Sequence, residues 1–351
     1  MNHPPLRTGL LGFGYASQTF HAPLIRATPG LQLVAVSSRD EAKVRQALGP
    51  EVRVWPSAER LIADEQLDLV VVPTPNDTHH ALARAALRAG RHVVVDKPFT
   101  LDAAQAAELV ALAARERRLL SVFHNRRWDG DFLAVRKLLA AGTLGRVRHA
   151  VMHFDRFRPQ VRDRWREADV PGGGLWMDLG PHLLDQALQL FGMPQALQAD
   201  IAGLREGALS DDYFHATLRH ADGLRVTLHA SMLAAAPGPR FALHGTHGSY
   251  VKWGLDRQED DLKAGRRPRA GQPWGEDPQA GQLLLERDGA LHASALPNER
   301  GDYPAYYAAL RDAILGRGAN PVPPEQALQV MRLLDLGRHS AQQRREMPFA
   351  Q

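Results

Sequence analysis

At 351 residues, 44% hydrophobic and 23% charged, the chain is long enough for two domains with sizeable cores and too apolar to be disordered. Its 43 basic residues against 39 acidic ones leave a formal charge of +4, too small a surplus for a nucleic-acid surface. The absence of cysteine excludes disulfides, thiol catalysis and thiolate metal sites, and the lack of an apolar leader or of any apolar run of about 18 residues predicts a soluble cytoplasmic protein without membrane contact.

The first predicted strand, 7–11, runs into Gly9-Leu10-Leu11-Gly12-Phe13-Gly14-Tyr15-Ala16-Ser17 and then a helix over 20–27. With a second apolar run at 31–36 this is the layout of a dinucleotide-binding unit. Gly12 makes the tight turn, and Gly14 lets backbone N–H groups reach a pyrophosphate at a helix N-terminus. Phe13 and Tyr15 flank them as expected cofactor contacts, and Ser17 replaces the third glycine. The second strand ends in Ser37-Ser38-Arg39, without the acid that accepts from a ribose 2′-OH. Two hydroxyls and a guanidinium suit a 2′-phosphate, so NADP is expected over NAD, a solvated Ser/Arg loop being the alternative. Asp40 is better placed to cap the next helix, 41–48.

Strands at 67–72, 92–95 and 119–123 alternate with helices at 58–62, 79–89 and 103–117. Their near-continuous apolar runs predict a parallel sheet covered on both faces. Pro73-Thr74-Pro75-Asn76 stiffens one strand end and offers Thr74, Pro75 and Asn76 to a cofactor, with His79 just beyond. Val93-Val94-Val95-Asp96-Lys97-Pro98 puts Lys97 past the C-terminal end of a buried strand, where ligands of open α/β sheets bind. Lys97 is expected to meet both the cofactor edge and a substrate hydroxyl.

From about residue 145 the pattern becomes alternating: strands at 148–157, 212–218, 225–232, 241–245 and 249–253, each with one polar and one apolar face. This predicts an antiparallel sheet and two domains, 1–123 and 124–351. The Gly/Pro-rich, charged segment 256–278 reads as a surface loop, and helices at 303–314 and 325–341 close the chain. The strongest chemical constellation is Gly172-Gly173-Gly174-Leu175-Trp176-Met177-Asp178-Leu179-Gly180-Pro181-His182. Asp178 and His182, four apart, share a helix face, and Pro181 must fall in the first turn or kink the helix. Asp178 orients His182, whose imidazole is suited to exchange a proton with an alcohol. Too few ligands accompany the pair for a metal, and none is expected; a buried histidine with an acid partner is the alternative.

In this order, the glycine turn, Thr-Pro-Asn, Asp-Lys-Pro and Gly-Gly-Gly…Asp…His resemble the Gfo/Idh/MocA oxidoreductases, over essentially the whole chain. The resemblance implies an α/β protein: an N-terminal Rossmann domain and a C-terminal α+β domain with a largely antiparallel open sheet. It also implies catalysis by Lys97, Asp178 and His182. Two departures are Asp96, where the family usually has glutamate, and Ser17. His124-Asn125-Arg126-Arg127-Trp128-Asp129, Phe154-Asp155-Arg156-Phe157-Arg158-Pro159 and Arg164-Trp165-Arg166-Glu167 look most like the NADP-dependent scyllo-inositol dehydrogenase branch. That likeness implies Asn125 at the cofactor, and Asp155 and Arg156 with Lys97, Asp178 and His182 at a substrate. The arginine clusters suit a polyhydroxylated ligand or an ion-paired framework. The expectation is therefore an NADP(H)-dependent oxidoreductase interconverting a cyclic polyol or sugar hydroxyl and its ketone, as a homodimer or homotetramer by analogy. An NAD-dependent glycoside hydrolase and a non-catalytic NADP sensor are the alternatives.

Overall fold

The computed structural model describes residues 3–269 and 272–349. The chain divides into two units: Met1–Trp128 with Arg257–Trp274 and Asp302–Gln329, and Asp129–Asp256 with Gly275–Gly301 and Val330–Gln351.

In the first unit, strands β1 (Leu6–Leu11), β2 (Leu31–Ser37), β3 (Arg53–Trp55), β4 (Leu69–Val72), β5 (His92–Val95) and β6 (Leu120–Val122) form one parallel sheet in the order β3-β2-β1-β4-β5-β6. Between them come helices α1 (Ala22–Ala27), α2 (Glu41–Leu48), α3 (Ala58–Ile62), α4 (His79–Arg88) and α5 (Ala103–Arg115). Val70, Val71, Val93 and Val94 lose all contact with solvent, as an unbroken apolar run in a sheet covered on both sides must. The order reverses direction between β1 and β4, so the C-terminal ends of these strands border the crevice where such sheets bind ligands.

By contacts the first unit also takes in two segments that follow residue 123 in the chain. Helix α9 (Tyr303–Ile314) falls in the first unit, with Tyr303, Tyr306, Tyr307 and Leu310 buried. Tyr306 and Tyr307 pack 5.0 and 5.8 Å from Phe123, and the Tyr306 hydroxyl donates to Ser121 Oγ at 3.0 Å. The segment 256–278, expected as loop, contains α8 (Gln258–Lys263).

The second unit carries α6 (Gly130–Ala140) and α7 (Leu175–Phe191) with a nine-stranded sheet. Its strands are β7 (Val147–His153), β8 (Ala196–Ala202), β9 (Tyr213–Arg219), β10 (Arg225–Ser231), β11 (Phe241–Gly245), β12 (Gly248–Lys252), β13 (Gly281–Arg287), β14 (Ala290–Leu296) and β15 (Met347–Pro348), after the last helix α10 (Pro324–Gln343). The spatial order is β14-β13-β12-β11-β7-β10-β9-β8-β15, antiparallel except where β7 and β10 run parallel. Met152, Phe214, Ala216, Leu228 and Ala230 are buried on one face, and α7 packs on β9 and β10. Alternate residues, among them His153, His215 and His229, occupy the other face.

Candidate active site

In the first unit the glycine turn is built from local hydrogen bonds. Gly12 has φ +76°, a conformation that favours glycine. Its N–H donates to Ser37 Oγ at 3.0 Å, and Ser17 Oγ donates to the Gly12 carbonyl at 2.9 Å. Ser17 thus fills the place of a third glycine while fully buried and hydrogen-bonded. Gly14 differs: among the described residues other than its chain neighbours, none comes within 4 Å of where its Cβ would stand, so neither packing nor backbone conformation calls for glycine there. Open space above that turn is what a close-approaching pyrophosphate needs. Phe13 is buried, whereas Tyr15 is exposed and meets Phe20 edge-on at 6.2 Å.

At the end of β2, Asp40 accepts from Lys43 N at 2.9 Å and so caps α2, and Ser38 Oγ accepts from Asp40 N at 3.1 Å. Arg39 stands exposed between them. Past β4, Thr74 Oγ1 accepts from Thr78 Oγ1 at 2.6 Å, Pro75 is exposed and Asn76 is buried in a short 3₁₀ turn. His79 is fully buried, with Nδ1 2.8 Å from the Pro98 carbonyl and Nε2 2.8 Å from the Thr74 carbonyl. Each nitrogen faces a backbone carbonyl, so His79 braces the two strand-end loops. Arg126 and Arg127, read beside Asn125 as part of a ligand cluster, are buried framework. Arg126 pairs with Glu259, and Arg127 donates to Gln326 Oε1 at 2.7 Å. Asn125 is buried in the turn that carries them.

Lys97 follows β5, half-buried, with its N–H donating to Asp96 Oδ1 at 2.7 Å. Asp96 Oδ2 lies 3.5 Å from Nε2 of the buried His21, whose Nδ1 is 2.6 Å from the Tyr307 hydroxyl. Burial pushes the Asp96 carboxyl up, but the hydrogen bond and charge of His21, with Lys97 and His79, outweigh it and hold the carboxyl at about 2. Asp96 is therefore an anion that anchors the lysine backbone. His21 and Tyr307 escape a reading of the sequence because they stand 286 residues apart; the only local signal is a histidine inside an apolar helix start.

In the second unit, the glycines at 172–174 lead into α7. Gly174 has φ +90° and offers no side chain to cap the helix, and a Cβ there would overlap Asp211. Asp211 does the capping instead, Oδ2 accepting from Trp176 N at 2.6 Å. Asp178 sits in the first turn, half-buried, and His182 one turn on, only 5% exposed, with its ring 6.2 Å from and stacked on Phe154. Pro181 lies in the second turn, inside the helix. Arg156 and Arg166 face Asp178 at 4.0 and 3.7 Å. Arg164 and Arg205 are tied to Glu167 at 2.6 and 2.9 Å, which makes them framework.

Asp155 is the one expected substrate residue that the structure turns away. Strand alternation sends Phe154 to the α7 side and Asp155 to the opposite face, where His153 and His229 take it. A cavity of about 330 Å³ beside the glycine turn is lined by Phe13, Gln18, Arg26, Leu48, Arg267 and other residues, but by none of Ser37, Thr74 or Lys97.

The Asp211 cap carries a pH dependence. Burial pushes its carboxyl up to about 6, against hydrogen bonds from Trp176 and Leu175 that lower it. An acid raised on folding contributes stability below its ordinary pKa and loses it as pH rises through the folded value. Between pH 4 and 7 the protein should lose on the order of 1–3 kcal/mol relative to Asp211→Asn, which keeps an acceptor oxygen. Urea unfolding of both proteins across that range checks this; a gap that widens in the opposite direction contradicts it.

Residues 6–124 match the model of "Oxidoreductase family, NAD-binding Rossmann fold" and residues 136–349 that of "Oxidoreductase family, C-terminal alpha/beta domain". The oxidoreductase YdgJ of Escherichia coli (strain K12) is 56% identical over 98% of this chain and 99% of its own. The scyllo-inositol 2-dehydrogenase (NADP(+)) IolW of Bacillus subtilis (strain 168) is 36% identical over 97% of this chain and 95% of its own. A solved oxidoreductase structure from Yersinia pestis superposes with a TM-score of 0.94 at 53% identity, covering 99% of this chain and 98% of that one. Among the described residues, no helix is long and apolar enough to cross a membrane.

Proposed function

The chain belongs to the Gfo/Idh/MocA oxidoreductase family, and from that premise we propose that it interconverts a hydroxyl of a cyclic polyol or sugar, of the scyllo-inositol kind, with its ketone, using NADP(H). The observation that carries the reading is the retention, in one chain, of a lysine past β5 and of Asp178 and His182 one turn apart on α7. When bound, the nicotinamide dinucleotide supplies the hydride acceptor or donor. The open turn at Gly12–Gly14 would hold its pyrophosphate, and Thr74, Asn76 and Asn125 would line its path. In the oxidising direction His182 takes the hydroxyl proton. Lys97 donates a hydrogen bond to an oxygen on which negative charge develops and stabilises that charge. Asp178 orients the imidazole or a neighbouring hydroxyl, and Arg156 and Arg166 supply further fixed donors.

The choice of NADP rests on Ser37, Ser38 and exposed Arg39 at the end of β2, where Asp40 is occupied with capping α2. IolW, whose name specifies both scyllo-inositol and NADP(+), supports both halves of the reading. Arg39→Ala should raise the NADPH dissociation constant roughly tenfold to a hundredfold, the worth of one charge-assisted contact, and leave that for NADH nearly unchanged. Fluorescence titration with both nucleotides measures this, and tighter binding of NADH to the unmodified protein would sink the NADP assignment. Screening inositols and aldoses by the change in NADPH absorbance tests the substrate class; turnover of none of them would overturn it.

We further propose a homodimer or homotetramer. Among the described residues the edge strand β14 has a sheet neighbour on one side only, and it exposes Leu291 at 70%, which a second copy would cover. Light scattering on the purified chain would show at least two copies; a monomer at micromolar concentration contradicts the assembly.

A further inference from the structure

The face of the second unit's sheet opposite α7 holds a cluster to which the proposed hydride transfer assigns no role. Parallel pairing of β7 with β10 sets His153 beside His229, their ring centroids 4.9 Å apart. Asp155, two residues beyond His153, reaches between the rings. Its Oδ2 is 3.1 Å from His153 Nδ1 and its Oδ1 is 2.8 Å from His229 Nδ1. One ligand atom from each of the three residues falls within 4.8 Å of the other two. A loop residue completes the arrangement. Gly238 N donates to Asp155 Oδ2 at 3.0 Å, and a Cβ on Gly238 would overlap the His153 ring. The Asp155 side chain is 3% exposed while the imidazoles keep 21% and 20%, so the carboxylate is rooted and the rings stay partly open to solvent.

We propose that His153, Asp155 and His229 bind a divalent transition-metal ion, Zn²⁺ foremost, in a site that ties β7, β10 and the loop before β11 together. Two imidazoles and a carboxylate are a donor set that zinc favours. Tetrahedral zinc with bonds of about 2.0–2.2 Å holds its ligand atoms roughly 3.3–3.5 Å apart, so small side-chain rotations close the present triangle around an ion. The Gly238 N–H then orients the carboxylate from behind, as outer partners of metal ligands do. A fourth position remains for water. The site stands independently of the proposed redox activity, since none of its residues is assigned to that chemistry.

The test uses the full chain, stripped with a chelator, dialysed and titrated with ZnCl₂ by calorimetry, with thermal unfolding in parallel. The expected result is one saturable equivalent per chain, weakened on the order of 100-fold in Asp155→Asn and in His229→Gln, and a thermal midpoint that zinc raises only in proteins retaining the site. Circular dichroism establishes that each variant is folded, and two variants at different ligands guard against one that is not. His149 and His244, stacked at 5.6 Å by the pairing of β7 with β11, provide the control: His244→Gln should bind as the unmodified chain does. Absence of a saturable equivalent, or equal binding by folded Asp155→Asn and His229→Gln, overturns the proposal. So does loss of binding in His244→Gln alone.

Discussion

Replacing His182 by alanine should lower turnover on the best polyol by about 10²–10⁴-fold, the usual contribution of a general acid–base group, with dinucleotide affinity unchanged. The expectation follows from where α7 holds the ring. His182 is nearly buried, stacked on Phe154, and set one helical turn after an aspartate that two arginines approach. A histidine kept only for packing would, on truncation, leave a cavity and cost stability while the surviving folded molecules turned over normally. The two roles separate in the pH profile: the unmodified enzyme should show an ionisation that the His182→Ala enzyme lacks. Near-normal turnover per folded molecule would reduce the imidazole to a core residue.

What could be read from the sequence was what short-range chemistry encodes. The glycine turn, the buried strands and the lysine before Pro98 sit within a few residues of the backbone features that define them. The structure accordingly has β5 at His92–Val95 and α2 at Glu41–Leu48, each with the bounds its apolar pattern predicts. Asp178 and His182 fall one turn apart on α7, as their four-residue spacing predicts.

The misses are long-range. Arg126 and Arg127 suit a ligand or a framework equally well until α8 and α10 bring up Glu259 and Gln326, which decides for the framework. His79 looks like a strand-end polar contact until the turn at Pro98 arrives at its other nitrogen. The family likeness puts Asp155 at a substrate with Arg156, yet adjacent strand residues face opposite ways, and its partner His229 lies 74 residues on. The sequence pattern misses the short β3 and β15, and it misses β8, β13 and β14 because ALQADIA, GQLLLER and ALHASAL have few of the β-branched and aromatic residues that mark strands. Their pairing with neighbours supplies what local propensity does not.

Lys97→Ala should lower turnover by about 10²–10³-fold, the typical cost of removing one donor to an oxygen on which charge develops. The backbone that presents this lysine is already fixed: Asp96 receives the Lys97 N–H, is held ionised by His21, and His21 in turn is held by Tyr307 on α9. Truncating the side chain therefore removes an ammonium group and leaves its scaffold in place. Arginine should not restore the rate, because a planar fork cannot put a compact charge on one oxygen. The competing possibility is that Lys97 only seats the dinucleotide. In that case Lys97→Ala would raise the NADPH dissociation constant while turnover at saturating cofactor stayed near normal. A fall in turnover that persists at saturating NADPH and polyol assigns the lysine to the reacting oxygen; recovery of turnover under those conditions assigns it to the cofactor alone.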